Sequence, residues 1–227
     1  MLNVNFNWCV LATVFIGLLF GSPTASGQIH ESQNGIARIE TRTGSGSGFV
    51  VAARDGKVEI WTNGHVTGPV GSVATVRFGT GGSTERSFTA TVASRRYRDG
   101  ADWAKLVGVA DYSGHVFPIA RVGTEGFDRF TGGHPRGGRF YALVLTEKVS
   151  KSFGEVTAYL PAAIPGQSGS AVVNENGEVV GVVTMYFEDR RTRYGGFLPI
   201  GDWTGEGRAA HRNVGHFKPL ENAPAVE

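Results

Sequence analysis

Three short stretches carry side chains that could act on one another chemically. In Trp61-Thr62-Asn63-Gly64-His65-Val66 a β-rich run ends at Thr62 and a His follows in a short turn. An imidazole at the end of a strand is held by a rigid sheet, still faces a cleft, and can move a proton near neutral pH. In Gly100-Ala101-Asp102-Trp103-Ala104-Lys105-Leu106 an Asp opens an apolar strand. A carboxylate drawn into the interior needs a partner, because an unpaired buried charge is costly, and an imidazole N–H is one such partner. Asp99 lies close by, but Gly100 beside it marks a turn. In Pro165-Gly166-Gln167-Ser168-Gly169-Ser170 a Ser sits between glycines, just ahead of Ala171-Val172-Val173. The backbone turns sharply there, and its N–H groups can converge on a developing oxyanion. A Ser hydroxyl is a weak nucleophile and needs a base within hydrogen-bond reach. Taken singly, each stretch also fits an ordinary surface His, a turn Asp or a Gly/Ser loop.

The elements that must position these groups read as strands. Short β-rich runs alternate with Gly, Asn, Asp and Ser from Gly35 onward: Ile36–Thr41, Gly48–Ala53, Val58–Thr62, Val73–Phe78, Phe88–Ala93, Trp103–Val109, Arg139–Leu145, Glu155–Tyr159, Ala171–Asn174, Val179–Tyr186 and Tyr194–Ile200. Asp55-Gly56 and Asn176-Gly177 separate pairs of these runs, where a hairpin wants residues that accept positive φ. Many short strands at roughly ten-residue spacing predict an all-β sandwich or barrel. The 34 glycines among 227 residues argue the same way, since each Gly inside a helix costs about 1 kcal/mol against Ala. With 22 basic and 20 acidic side chains the formal net charge is only +2, which gives no electrostatic case for a nucleic-acid partner.

Cys9–Phe20 is an apolar run too short for the roughly 20 residues of a membrane-spanning helix. Gly21-Ser22-Pro23 breaks it, and Ala25-Ser26-Gly27 supplies small residues at a cleavage site. Residues 1–27 are thus expected to be a signal peptide removed after Gly27, leaving a secreted or periplasmic protein without stable membrane association. The alternative is an uncleaved anchor, since Met1–Trp8 has no Lys or Arg. The single cysteine, Cys9, lies in this segment, so the mature chain has no disulfide, no cysteine nucleophile and no thiolate metal site. His211 and His216, on a polar tail, are read as solvated rather than as a metal pair, and no metal or cofactor is expected. The basic residues Arg95, Arg96 and Arg98 are read as a solvated loop, and Asp189, Arg190, Arg191 and Arg193 as a hairpin cap.

Ordered as His65, Asp102 and Ser168, the three groups make the chain resemble the trypsin-like serine peptidases of the chymotrypsin fold, and in particular their bacterial HtrA-like branch. Further matches run in order from Gly35 to Trp203. They are Gly44-Ser45-Gly46-Ser47-Gly48-Phe49-Val50-Val51 for an early S-G-x-G-F strand, and Gly133-His134-Pro135 for a G-x-P turn. Gly177–Thr184 matches the strand after the nucleophile, and Gly196-Phe197-Leu198-Pro199-Ile200 a G-F-x-[IL]-P segment.

The resemblance implies two six-stranded antiparallel β-barrels with the active site in the cleft between them. Residues 28–115 would form the first, carrying His65 and Asp102. Residues 116–205 would form the second, carrying Ser168, and residues 206–227 a tail. It implies a catalytic Ser168, a His65 base, an orienting Asp102, and an oxyanion hole from the N–H groups of Gly166 and Ser168. Thr184 would support the triad by a hydrogen bond from its Oγ to Asp102. A protein or peptide substrate would lie as a strand beside Thr184, Met185 and Tyr186. Its P1 pocket would be based at Ala162, with Ala163 and Ile164 nearby; no carboxylate stands there, so a small or medium apolar P1 residue is expected.

The sequence departs from the family pattern at three points. Ser170 replaces the second Gly of G-x-S-G-G, which would crowd or re-aim the nucleophile. Gly64 replaces an Ala and would loosen the turn before His65. Gln167 replaces the Asp that pairs with a new N-terminus in digestive members, so no such zymogen switch is expected. No PDZ-like domain is expected after residue 203. Two rivals stand beside the peptidase. An α/β-hydrolase would use Asp202 and His211, but it lacks its strand–helix alternation. A non-catalytic binding module could use the same trypsin-like fold.

Overall fold

Period-two alternation builds the first half. Strands β3 (Lys57–Thr62) and β4 (Val73–Phe78) bury every second side chain, the signature of a sheet with one face on a core. In a computed structural model of the chain they join β1 (Ile36–Glu40), β2 (Ser45–Arg54), β5 (Arg86–Arg98) and β6 (Ala101–Val109) in a closed antiparallel barrel, ordered β1-β2-β3-β6-β5-β4. The residues described are 32–42, 44–79, 85–98, 101–120, 129–134, 136, 138, 141–143, 147–153, 156–160, 163–189, 192–199 and 218–219. Ala37, Ile39, Val50, Ile60, Val76 and Leu106 are among the side chains that fill the barrel. The β2–β3 turn is the expected two-residue hairpin: Asp55 and Gly56 both take positive φ, 53° and 71°, which matches the strand twist.

After β6 the chain crosses to the second half through residues 110–120. Phe117 N–H donates to Val50 O at 2.8 Å, and Ala120 N–H to Val179 O at 3.0 Å. There follow β7 (Arg129–Gly133), β8 (Tyr141–Leu143), β9 (Glu147–Phe153), β10 (Val156–Leu160), β11 (Ala171–Asn174), β12 (Val179–Asp189), β13 (Thr192–Pro199) and β14 (Lys218–Pro219). They form one eight-stranded sheet, β8-β7-β11-β12-β13-β10-β9, with β14 on β12. A second closed barrel was expected; among the described residues β8 and β9 are not paired, and the sheet stays open there. Strand β8 has only three residues. Strand β9, Glu-Lys-Val-Ser-Lys-Ser-Phe, carries the charges that suit an edge.

The strands β7, β9 and β14 are additional to those predicted. Strand β7 contains two glycines and β9 few apolar residues, so neither shows hydrophobic alternation. Strand β5 also runs further than Phe88–Ala93. Pairing with β6 carries Arg95, Arg96 and Arg98 into the sheet, opposite Ala104, Trp103 and Ala101, instead of into a loop. One apolar cluster joins the halves: Ile36 and Phe49 from the barrel, Phe117 from the crossover, and Ala171, Val179, Val182 and Leu198 from the second sheet.

Candidate active site

His65 sits in a single 3-10 turn, Gly64–Val66, directly after β3. Asp102 is the second residue of β6. The neighbouring pair β3–β6 brings them together. His65 Nδ1 lies 2.7 Å from Asp102 Oδ2, and the His65 backbone N–H donates to Asp102 Oδ1 at 2.9 Å. Both carboxylate oxygens are thus engaged by one residue. The imidazole is 2% exposed and the Asp102 side chain 11%, so little water competes. A proton on Nδ1 shared with the carboxylate leaves Nε2 as the basic nitrogen.

Asn63, to which the sequence reading assigned no role, and Arg95, expected in a solvated loop, brace this pair. Asn63 Nδ2 donates to the Asp102 carbonyl at 3.0 Å and to Thr184 Oγ1 at 3.2 Å. Thr184, on β12, donates its own hydroxyl to Val182 O at 3.1 Å. Thr184 therefore reaches Asp102 through the Asn63 amide rather than by the direct hydrogen bond expected: its one proton is used on Val182. Arg95 Nε donates to Gly64 O at 2.7 Å, so it clamps the His turn and is not a solvated cation. Its only sequence signal was membership in a basic run, which does not separate it from Arg96.

Gly64 does not loosen the turn. A Cβ there would stand 2.8 Å from Arg96 O and 3.1 Å from Trp103 O, so the glycine allows the turn to press on the backbone of β5 and β6.

Ser168 lies between two glycines in left-handed backbone, Gly166 at φ 94° and Gly169 at φ 85°, conformations cheap only for glycine. Gln167 stabilises its own turn. Ile164 N–H donates to Gln167 Oε1 at 2.9 Å, and Gln167 N–H to Ile164 O at 3.1 Å. A neutral amide holds the loop with no charged partner. Gly169 N–H bonds Val183 O and Ser170 N–H bonds Gln167 O, at 2.8 and 2.9 Å. The N–H groups of Gly166 and Ser168 donate to no described residue, which leaves them available to a ligand.

The Ser170 hydroxyl does not crowd the nucleophile; it points at Gly133, where a Cβ would collide with it. Ser168 is 2% exposed, and its Oγ makes no hydrogen bond within the described residues.

Of the expected substrate-binding positions, Ala162 lies outside the described residues. Met185 and Tyr186 are on β12, paired with Gly196 and Gly195 of β13 on one side and with Pro219 and Lys218 of β14 on the other. The strand edge expected to receive substrate is thus taken by the chain's own C-terminal segment. His30, His211, His216 and Asp202 also lie outside the described residues, as do residues 1–31. Among the described residues no group of three or more His, Cys, Asp or Glu side chains could hold a metal ion, and no helix is long and apolar enough to cross a membrane.

A closed antiparallel barrel, a bonded His65–Asp102 pair and a glycine-flanked Ser168 suit a chymotrypsin-like architecture, although no hydrogen bond joins His65 Nε2 to Ser168 Oγ in this structure. The sequence matches the family described as trypsin-like peptidase domain over residues 46–182, more than half of the chain and all three of these residues. The chain belongs to the trypsin-like peptidases and is by class a serine endopeptidase, a hydrolase.

Solved structures resemble it in fold. The Rv3671c protease of M. tuberculosis, in an inactive form, is 24% identical, with 84% of this chain and 98% of that one covered and a TM-score of 0.58. The serine endoprotease from Yersinia pestis is 19% identical over 79% of this chain and 63% of its own, with a TM-score of 0.59. AlgW, an HtrA-type protease solved with a tripeptide, is 21% identical over 81% of this chain and 62% of its own, with a TM-score of 0.59. The chain therefore spans under two thirds of the last two proteins. A comparison with proteins of curated function finds none that matches in sequence.

Proposed function

We propose that the chain is an exported serine endopeptidase that cleaves peptide bonds through an acyl-enzyme on Ser168. The observation that carries this reading is the doubly bonded His65–Asp102 pair, with the Nδ1 contact at 2.7 Å, together with a nucleophile turn whose two N–H groups remain unspent. Ser168 Oγ attacks the scissile carbonyl carbon while its proton passes to His65 Nε2. The C–N bond then breaks, and the same proton goes to the leaving amine. Water repeats the sequence on the ester and frees Ser168. Asp102 holds the tautomer and stabilises the imidazolium. The N–H groups of Gly166 and Ser168 receive the oxyanion, worth about 3 kcal/mol of barrier for each donor. The chemistry calls for no metal or cofactor.

Substrate adds as a strand to the edge of β12 at Thr184, Met185 and Tyr186, a backbone-directed mode that suits extended peptides. It must displace β14, a pairing only two residues long, and reach Ser168, which is 2% exposed. Ala162, Ala163 and Ile164 line the P1 pocket and favour small or medium apolar residues, with Tyr186 narrowing it. Residues 28–115, with the closed barrel, and 116–205, with the second sheet, act as the two units of the fold, and residues 1–27 direct export and are removed after Gly27. The partners are protein or peptide substrates, with no role for nucleic acid or membrane.

A fluorophosphonate probe tests the reading. It is expected to modify Ser168, to fail with Ser168→Ala and to react far more slowly with His65→Ala. Folded protein that stays unlabelled, with and without residues 218–227, would favour a non-catalytic binding module.

A further inference from the structure

Each peptide unit of the nucleophile turn is pinned by a hydrogen bond to its carbonyl. Arg136 N–H holds Pro165 O at 2.6 Å and Ser170 N–H holds Gln167 O at 2.9 Å. The other two bonds come from one residue of the opposite half. Ser47, on β2, donates its hydroxyl to Gly166 O at 2.7 Å and its backbone N–H to Ser168 O at 2.7 Å. Ser47 is completely buried, so water does not compete for these bonds. Its hydroxyl also accepts from His134 N–H at 2.9 Å. That contact fills a lone pair and turns the hydroxyl proton toward Gly166. Ser47 O in turn accepts from Thr62 Oγ1 at 2.6 Å, which ties the clasp to the strand leading to His65.

We propose that Ser47 is a positioning residue for the oxyanion-forming turn, a role that rests on the peptidase reading above. A trans peptide is planar and its N–H points opposite its C=O. The Gly166 and Ser168 N–H groups belong to the peptides whose carbonyls, Pro165 O and Gln167 O, are held by Arg136 and Ser170; Ser47 holds the peptide that follows each of them, through Gly166 O and Ser168 O, and so limits how far the two donor peptides can rotate. Gly166, at φ 94°, has no Cβ to hold its conformation, so its carbonyl needs an external anchor. Ser47 supplies one from the half that also carries His65 and Asp102. Base and oxyanion donors are thereby referenced to the same strand pair.

The test uses Ser47→Ala, and Ser47→Cys, which fills similar space with a weak donor should the first variant fold poorly. Both are expected to lower kcat about ten- to hundredfold, less than deletion of an oxyanion donor, with KM within about twofold. Ser47→Thr, which keeps the hydroxyl, should recover most of the loss.

Amide hydrogen exchange on the resting protein gives a readout independent of turnover. Protection of Gln167, Gly169 and Ser170 should fall at least about tenfold, with Ile60 and Leu106 unchanged. Unchanged protection in the turn overturns the proposal, and so does lost protection with wild-type kcat. A wild-type protein that turns over no peptide, with a turn loosened by Ser47→Ala, instead retires the peptidase reading and leaves the anchoring of the turn standing.

Discussion

His134 shows how much one side chain can hold at the seam between the halves. It is buried, with its backbone N–H on Ser47 Oγ and Nδ1 at 3.2 Å from Gly138 O. Burial lowers its pKa below the ordinary 6.5; backbone contacts to Gly138 and Ile36 and the charge of Glu85 oppose this, while Arg38 adds to it. In the unfolded chain the same imidazole takes a proton near pH 6.5. Between the lowered folded value and 6.5 the unfolded state therefore binds more protons. The stability that His134 contributes is complete above pH 6.5 and is lost as the pH falls through the folded value. Urea unfolding at pH 7.5 and pH 5.5 should show a steeper acid loss in the wild type than in His134→Gln. Equal losses would mean that His134 ionises as freely in the fold as outside it.

The elements around the active site leave little slack. The turn after β3 rests on β5 and β6 through Gly64, and Arg95 clamps its carbonyl from β5. Gly64→Ala, although it restores the residue more usual in the family, should cost about 1–3 kcal/mol. It should lower the Tm by a few degrees and slow fluorophosphonate labelling as His65 is pushed from its place. A neutral substitution would show that the turn can back away from Arg96 O.

What could be read from sequence follows from what is local. His65, Asp102 and Ser168 stand in short motifs with Gly and strand flanks, and the Asp55-Gly56 hairpin is fixed by its own dipeptide. Ser47, by contrast, looked like part of a glycine-rich strand. Its hydroxyl bonds a carbonyl 119 residues away, and nothing near it in the chain encodes that. Asn63, Arg95 and Ser170 were opaque for the same reason: each takes its role from an element brought alongside by tertiary pairing. Strand β9 was hidden because its alternation is polar, and β7 because glycines fill it.

At the scale of the whole molecule the halves share a core. Phe49 of β2 is fully buried, edge-on to Trp61 and Phe117 at 6.3 and 6.0 Å, in the cluster that also takes in Val179, Val182 and Leu198 of the second sheet. Unfolding should therefore be a single transition, with calorimetric and van't Hoff enthalpies in agreement. Phe49→Ala should lower stability by about 3–5 kcal/mol and shift that one transition without splitting it. Two resolved transitions would show that the barrel and the second sheet stand independently.

That common apolar filling also limits how the enzyme can be switched. A clamshell needs a hollow or wet hinge, and here the hinge is packed with Ile36, Phe49, Phe117 and Leu198. Prying the two lobes apart would expose grease on both. Any exposure of Ser168 by separating the lobes would therefore have to break that packing first.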